Sequence, residues 1–293
     1  MRSLCLSGGS TKIAMLAGAA VAILKYKKYK PTYIIGVSAG AILTVPLAME
    51  MYNTVNKYVK NFDLNDIFTK HPVDKKGKVT LSALWRVLRG KESLGTQDKL
   101  TETLSQIISK EKFEEYKRSS APICLAGIVE FKTGKRKYIN LKECDYEGYL
   151  QAVLASSSIP IFVESVKSGP EYWYDGGVRD HIGSHWLMEN VKLKENISIY
   201  SRPSSYNIED LSWRPSNVLT VLERTIEIMN MEISKNDQFK EEELAKEKNI
   251  LNTQVFPNKR LATSTYELNK IKLEDWYKIG FTEGLNYTNT NLI

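Results

Sequence analysis

The chain opens with a short apolar run, Ser3 to Leu6, then a glycine loop, then an Ala- and Leu-rich stretch from Ala14 to Tyr26. Tyr33-Ile34-Ile35-Gly36-Val37 follows, β-branched and aromatic, and from Ala39 through about Lys60 the pattern is helical again. Strands that are almost wholly apolar, alternating with helices, belong to a parallel sheet covered on both faces, because such strands have no solvent side to mark with polar residues. The expected fold class is therefore α/β, a three-layer α/β/α sandwich around a mostly parallel central sheet.

Residues 61 to 120 are more polar and read as a helical insertion, either a cap over a site or an ordinary packing layer. It contains the loop-like HPVDKKGK and then two expected helices, SALWRVLRG and KLTETLSQIISKEKFEEY, the second with Leu100, Leu104, Ile107 and Ile108 at helical spacing and Thr96 as its N-cap. Trp85 and Leu88 share a helix face, a spacing that marks core more often than a lipid-facing cap. The sheet resumes with PICLAGIVEF and RKYINL, joined at Lys132-Thr133-Gly134-Lys135 as a hairpin. A short helix, YEGYLQAVLASSS, leads to a strand ending at Asp175. ISIYSRP is another strand, residues 215 to 249 are helical, and LEDWYKIGFTEGL closes the chain. No internal repeat or low-complexity linker interrupts this order, so a single domain spanning 1–293 is expected, with 215–293 as a C-terminal helical extension.

Composition narrows the picture only a little. Of 293 residues, 42% are hydrophobic and 26% charged, an ordinary globular balance. Lys and Arg number 41 against 34 for Asp and Glu, a formal net charge of +7. That surplus is scattered, and it reads as a mildly basic surface rather than a nucleic-acid site. KYKKYK at Lys25 to Lys30 is a solvated helix end on the same reasoning. Three cysteines, Cys5, Cys124 and Cys144, have no metal spacing and read as free thiols in a reducing compartment. His71, His181 and His185 lack an evident ligand set, so no metal and no cofactor is expected. No run approaches the ~18 uninterrupted apolar residues of a membrane span. A soluble, unprocessed, cytoplasmic protein with transient contact to membrane surfaces is the expectation.

Three short motifs carry the chemistry. Gly36-Val37-Ser38-Ala39-Gly40 lies between a strand and a helix, where a nucleophile on a tight turn needs small neighbours and gains from the helix N-terminus. Ser7-Gly8-Gly9-Ser10-Thr11-Lys12 also sits between a strand and a helix, and adjacent glycines let backbone N–H groups close on an oxyanion. It lacks the Gly-Lys-Ser/Thr of a phosphate loop. Asp175-Gly176-Gly177, entered from an aromatic strand, is by itself merely a turn; beside the other two it offers a carboxylate base.

In this order the three motifs resemble the patatin-like phospholipase family, together with ASSSIPIF and YDGGVRDHI, over about Leu4 to Ile182. The resemblance implies a Ser–Asp dyad without histidine, Ser38 as nucleophile and Asp175 as base. It also implies an oxyanion hole of Gly8, Gly9 and Ser10 N–H groups, and Lys12 as the loop's basic residue. The implied substrates are phospholipids or other acyl-ester lipids. Ser10 and Ile13 stand where the family has loop glycines, and His181 stands where asparagine is common. Two other readings stay open: an α/β-hydrolase triad using His181 or His185, and a non-catalytic lipid-binding module.

Overall fold

The computed structural model describes residues 1–72, 74, 79–204, 213–215, 218–261 and 269–287. Most of HPVDKKGK, and part of the start of the helical stretch expected from 215, lie outside them. Eight strands form one sheet: β1 (Arg2–Leu6), β2 (Tyr33–Val37), β3 (Ile123–Glu130), β4 (Lys135–Asn140), β5 (Val166–Ser168), β6 (Glu171–Asp175), β7 (Glu195–Ile199) and β8 (Leu251–Val255). Their order is β5-β6-β3-β2-β1-β7-β8, with β4 also paired to β3. Strands β8, β7, β1, β2 and β3 are parallel neighbours, while β4, β5 and β6 pair antiparallel.

Ten helices accompany the sheet among the described residues: α1 (Ile13–Val21), α2 (Ala39–Ala48), α3 (Tyr52–Asn61), α4 (Leu81–Leu88), α5 (Asp98–Ile107), α6 (Lys110–Arg118), α7 (Tyr146–Ser156), α8 (Ser184–Asn190), α9 (Val218–Glu247) and α10 (Lys270–Asn286). Successive strand residues point to opposite faces. Leu4, Leu6, Ile34, Cys124 and Ala126 join the core under α1, α2, α3, α5, α6, α7 and α10. Cys5, Ile35 and Leu125 join the other core, under α8 and α9. The sheet is thus sandwiched as its apolar strands required.

Several boundaries differ from the sequence reading. The stretch 39–60 is two helices, because Pro46 removes a helical N–H and Glu50 then adopts φ +54. KLTETLSQIISKEKFEEY is also two helices: Ile108 is extended and Ser109 caps α6, its hydroxyl accepting from Lys112 N–H at 3.3 Å. Thr96 is not the cap of α5. It bridges to Lys70, and Gln97 precedes the helix. The Ala14–Tyr26 helix ends in a π-helical turn over Ala22–Tyr26. Strand β8, with half-buried Asn252 and Gln254, and helix α8, only 7 residues long, are additions.

Residues 61–120 divide between two duties. Leu100, Leu104, Phe113 and Tyr116 are buried in the main core, whereas Phe62, Leu64 and Ile67 face a cavity beside Ser38. The Trp85–Leu88 stripe is not core: Trp85 is 59% and Leu88 70% exposed. Helical spacing gave the apolar face correctly, but it is left largely to solvent, with the Arg89 guanidinium 5.6 Å from the Trp85 ring centroid. Helix α10 crosses α1 so closely that a Cβ on Gly280 would lie 2.0 Å from the Met15 carbonyl oxygen.

Candidate active site

Ser38 sits at the turn from β2 into α2 with φ 55 and ψ −124, a left-handed conformation that costs a residue with a Cβ about 1–2 kcal/mol. The flanking glycines are sterically required. A Cβ on Gly36 would lie 2.4 Å from the carbonyl of Gly40, and one on Gly40 would lie 2.4 Å from the Leu6 carbonyl oxygen. The turn is held from behind. Ser38 N–H donates to the Ser156 hydroxyl at 2.9 Å, and that hydroxyl donates to the Gly127 carbonyl at 2.6 Å.

Strand β3 brings the Asp175-Gly176-Gly177 motif to the Ser38 turn. Gly127 pairs with Val37, and the next residue, Ile128, pairs with Asp175. The Asp175 carboxylate is buried, accepts Gly177 N–H at 2.8 Å and lies near enough to the Ser38 hydroxyl for that group to favour its ionised form. Burial pushes its carboxyl up to about 6, against the opposing pull of the Ser38 hydroxyl and the Gly177 amide. It is therefore a stronger base than a solvated aspartate and is still largely ionised at neutral pH.

The glycine loop is arranged less simply than its motif implied. Gly8 N–H donates to the His181 carbonyl at 2.8 Å, so that amide is already engaged. Ser10 has φ +47, the conformation in which glycine costs least, which accounts physically for the glycine that the family carries there. Gly9 packs against Ser201, where an added Cβ would meet the serine Cβ at 2.9 Å. Lys12 lies at the end of the loop. Burial, and next the Arg202 guanidinium, push its amine down to about 7.

His181 is buried against the loop, its ring 3.1 Å from where a Gly8 Cβ would stand. Neither ring nitrogen has a hydrogen-bond partner among the described residues, so no Asp175–His181–Ser38 relay is assembled. Burial, with Arg202 and Lys12 nearby, pushes its pKa down to about 3 and keeps the ring neutral. His185 belongs to a separate buried network. Its side chain contacts Arg136, while Asp180 accepts from Arg136 at 3.1 Å, from Tyr138 and from the Gly183 amide at 2.8 Å. Asp237 on α9 accepts His181 N–H at 2.6 Å. Asp180, His185 and Asp237 place potential metal-ligand atoms within 4.8 Å of one another, a grouping that the sequence spacing did not reveal. The donors just named already engage these groups, and the Arg136 charge lies among them. The network fastens the segment after Asp-Gly-Gly to α9.

Two cavities meet at Ser38. The smaller, about 60 Å³, is apolar and lined by Ile42, Phe62, Leu64, Ile67, Phe68 and Leu100 among others. The larger, about 570 Å³, contains Gly8, Gly9, Ser10, Lys12 and Asp175 and extends to Arg202, Arg224 and Arg260. These three arginines were not legible as site residues, since they come from unrelated segments. Ile161, with φ +75 and 42% exposed, stands on the larger cavity's wall. No helix among the described residues is long and apolar enough to cross a membrane.

A serine on a strained strand-to-helix turn of a mostly parallel sheet, with a buried aspartate at the end of β6 on the other side of β3, defines an α/β/α protein with a glycine-flanked serine turn. The family model for patatin-like phospholipases matches residues 4–188, more than half of the chain, and the chain belongs to that family. At the family level this is lipid acyl hydrolase chemistry. The fold is similar to that of VipD from Legionella pneumophila, with a TM-score of 0.53 and 14% sequence identity. That match covers 97% of this chain and 66% of VipD, so this chain spans just under two thirds of the VipD chain. No curated protein matches the sequence.

Proposed function

We propose that the protein is a phospholipase A-type serine ester hydrolase with a Ser38–Asp175 dyad. The observation that carries the reading is the position of Ser38, which shares the wider polar cavity with buried Asp175 and also lines the apolar slot. Asp175 takes the hydroxyl proton as Ser38 Oγ attacks the ester carbonyl. The Gly9 and Ser10 amides face the developing oxyanion, each such donor being worth about 2.7–4 kcal/mol in the transition state. Collapse transfers the proton from Asp175 to the leaving alcohol and leaves an acyl-Ser38. Asp175 then deprotonates a water that attacks the acyl carbon, releasing the fatty acid and returning the proton to Ser38.

Contact with a lipid surface belongs to the same reading. Helix α4 presents Leu81, Leu84, Trp85, Val87 and Leu88 to solvent, with Arg89 and Lys91 exposed beside them. Its buried Ala83 packs in a cluster with Phe162, which lines both cavities. The apolar face thus borders the route to Ser38, and its cations suit anionic headgroups. A second reading, a lipid-binding module without turnover, is favoured by one observation: Gly8 N–H is already bound to His181.

The test compares wild type with Ser38→Ala, Asp175→Asn and His181→Asn on p-nitrophenyl esters and phospholipid vesicles. Fluorophosphonate labelling reads the nucleophile directly. The dyad variants are expected to lose about 10³-fold or more in kcat, with His181→Asn within tenfold of wild type. Loss in His181→Asn equal to that in Ser38→Ala would replace the dyad with a triad. An unlabelled, inert wild type would leave the binding module.

A further inference from the structure

The His181 ring is a buried polar group beside Ser38 that the dyad leaves unused. It lines the larger cavity together with Ser38 and Asp175. Two glycines show how near it stands. A Cβ on Gly8 would meet His181 Cε1 at 3.1 Å, His181 Nδ1 at 3.3 Å and Ser38 Cβ at 3.5 Å. A Cβ on Gly177 would meet Asp175 Oδ1 at 3.0 Å and His181 Nδ1 at 3.7 Å. The ring thus neighbours both members of the dyad, across two positions that carry no side chain. Its backbone is clamped, since His181 N–H donates to Asp237 Oδ2 at 2.6 Å and its carbonyl accepts Gly8 N–H at 2.8 Å. Neither ring nitrogen has a hydrogen-bond partner among the described residues. The Gly8 carbonyl lies near enough to favour a charged ring, but it already accepts the Ser7 and Ser201 hydroxyls at 2.9 and 2.6 Å. A buried polar group without a partner is costly, and that cost is relieved when a ligand supplies one. Burial, then Arg202 and Lys12, hold the ring uncharged. Such a ring is a poor base for a serine hydroxyl, yet a neutral imidazole still has one N–H to donate.

We propose that His181 is a catalytic residue that donates a ring N–H to the oxyanion formed when Ser38 attacks an ester. The ring offsets the loss of the Gly8 amide, which the backbone carbonyl of the same residue occupies. No proton changes hands at the ring. Asp175 takes the Ser38 proton and passes it to the leaving alcohol, while the His181 N–H bond stays intact through both halves of the reaction. The inference rests on the hydrolase reading above and adds a side-chain donor to it. A donor needs only a neutral N–H, which asparagine also carries, whereas a base needs the imidazole itself.

The experiment uses the full chain and compares wild type with His181→Phe, His181→Ala and His181→Asn, each matching wild type by circular dichroism. Hydrolysis of p-nitrophenyl butyrate is read as kcat and KM separately. His181→Phe, which fills the space, and His181→Ala, which empties it, are both expected to lose about 10²–10³-fold in kcat with KM within about threefold. His181→Asn is expected to recover all but about tenfold of the loss. A rise in KM at unchanged kcat overturns the proposal, because the ring then binds the ground state equally. His181→Asn as inactive as His181→Phe overturns it in favour of a base. Loss below tenfold in both His181→Phe and His181→Ala removes the donor and leaves the dyad standing. Fluorophosphonate labelling rates repeat the comparison at a phosphonyl oxygen, and they decide it if wild type labels but turns over no ester. A wild type that neither labels nor hydrolyses overturns the hydrolase reading and the donor with it.

Discussion

The Ser156 hydroxyl joins the nucleophile turn to the centre of the sheet: it accepts Ser38 N–H at 2.9 Å and donates to the Gly127 carbonyl at 2.6 Å. Both partners are buried. Ser156→Ala leaves an amide and a carbonyl to find new partners, at a cost of about 1–3 kcal/mol. It also frees a turn whose geometry must place Ser38 Oγ to a fraction of an ångström. The expected result is a lower Tm together with a kcat for p-nitrophenyl ester hydrolysis reduced by about 10²-fold, the scale of a 1 Å misplacement. Unchanged kcat in a folded variant would show that the turn supports itself.

That hydroxyl lies within ASSSIPIF, a segment legible as part of the family pattern without any hint of what Ser156 does. The elbow was legible because its requirement is local: Gly36 and Gly40 are needed within two residues of Ser38, and sequence records such spacing directly. Asp175 was legible by resemblance, while the pairing of Val37 and Asp175 with adjacent residues of β3 could be seen only in the sheet. Arg202, Arg224 and Arg260 escaped notice because no short-range pattern links β7, α9 and the segment after β8. Periodicity located the apolar face of α4 but is silent on whether protein or solvent lies against it. Strand β8 pairs only with β7 at the end of the strand order, and its half-buried polar residues give no continuous apolar signal.

The dyad's pH dependence follows from burial of Asp175. Its carboxyl, pushed up to about 6, must be ionised to accept the Ser38 proton. Activity is therefore expected to rise with pH through an apparent pKa near 6 and to level off above it. Stability runs the other way. A folded pKa above the usual 3.8 means a contribution fully present below about 3.8 and lost as pH rises through about 6. At pH 8 the buried charge costs on the order of 3 kcal/mol, from roughly 1.4 kcal/mol per unit. Asp175→Asn should thus be inactive yet higher in Tm at pH 8 than wild type, with the difference shrinking at pH 4. Thermal melts at the two pH values check the sign, and a variant less stable at pH 8 contradicts it.

On the proposed hydrolase reading, the apolar slot sets a limit on the acyl chain. Ile67, half-buried after the turn at Leu64–Asp66, lines it opposite Ile42 and Leu100. Ile67→Trp narrows the slot from its rim, where a larger side chain can be accommodated without rebuilding the core. Activity on p-nitrophenyl palmitate is expected to fall about tenfold or more relative to the butyrate ester. An equal effect on both would place the acyl chain elsewhere.

Helices α1 and α10 meet through glycine. Gly280 lies against Met15, and an added Cβ would come within 2.0 Å of a carbonyl oxygen that α1 cannot move without shifting the glycine loop at its start. Gly280→Ala is expected to destabilise the chain by about 1–3 kcal/mol or more by overpacking. Denaturant unfolding reads this directly. A neutral effect would mean that α10 can slide along α1, separating the closing helix from the site.

The exposed face of α4 is costly unless something covers it. Leu81, Leu84, Trp85, Val87 and Leu88 all point to solvent, and each full burial is worth about 1.5–3 kcal/mol. On the proposed lipid-surface reading, a bilayer supplies that burial, and Arg89 and Lys91 add about 1 kcal/mol each when the lipid is anionic. Trp85→Ser/Leu88→Ser removes two of the apolar anchors while leaving Ala83, the residue that packs on Phe162, in place. Cosedimentation with phosphatidylglycerol vesicles is expected to weaken about tenfold or more. Hydrolysis of vesicle lipid should fall at least tenfold further than hydrolysis of a soluble butyrate ester. If the two activities fall together, the face acts through Phe162 on the site itself. If neither falls, the lipid surface is met elsewhere, and α4 needs another explanation for leaving a tryptophan in water.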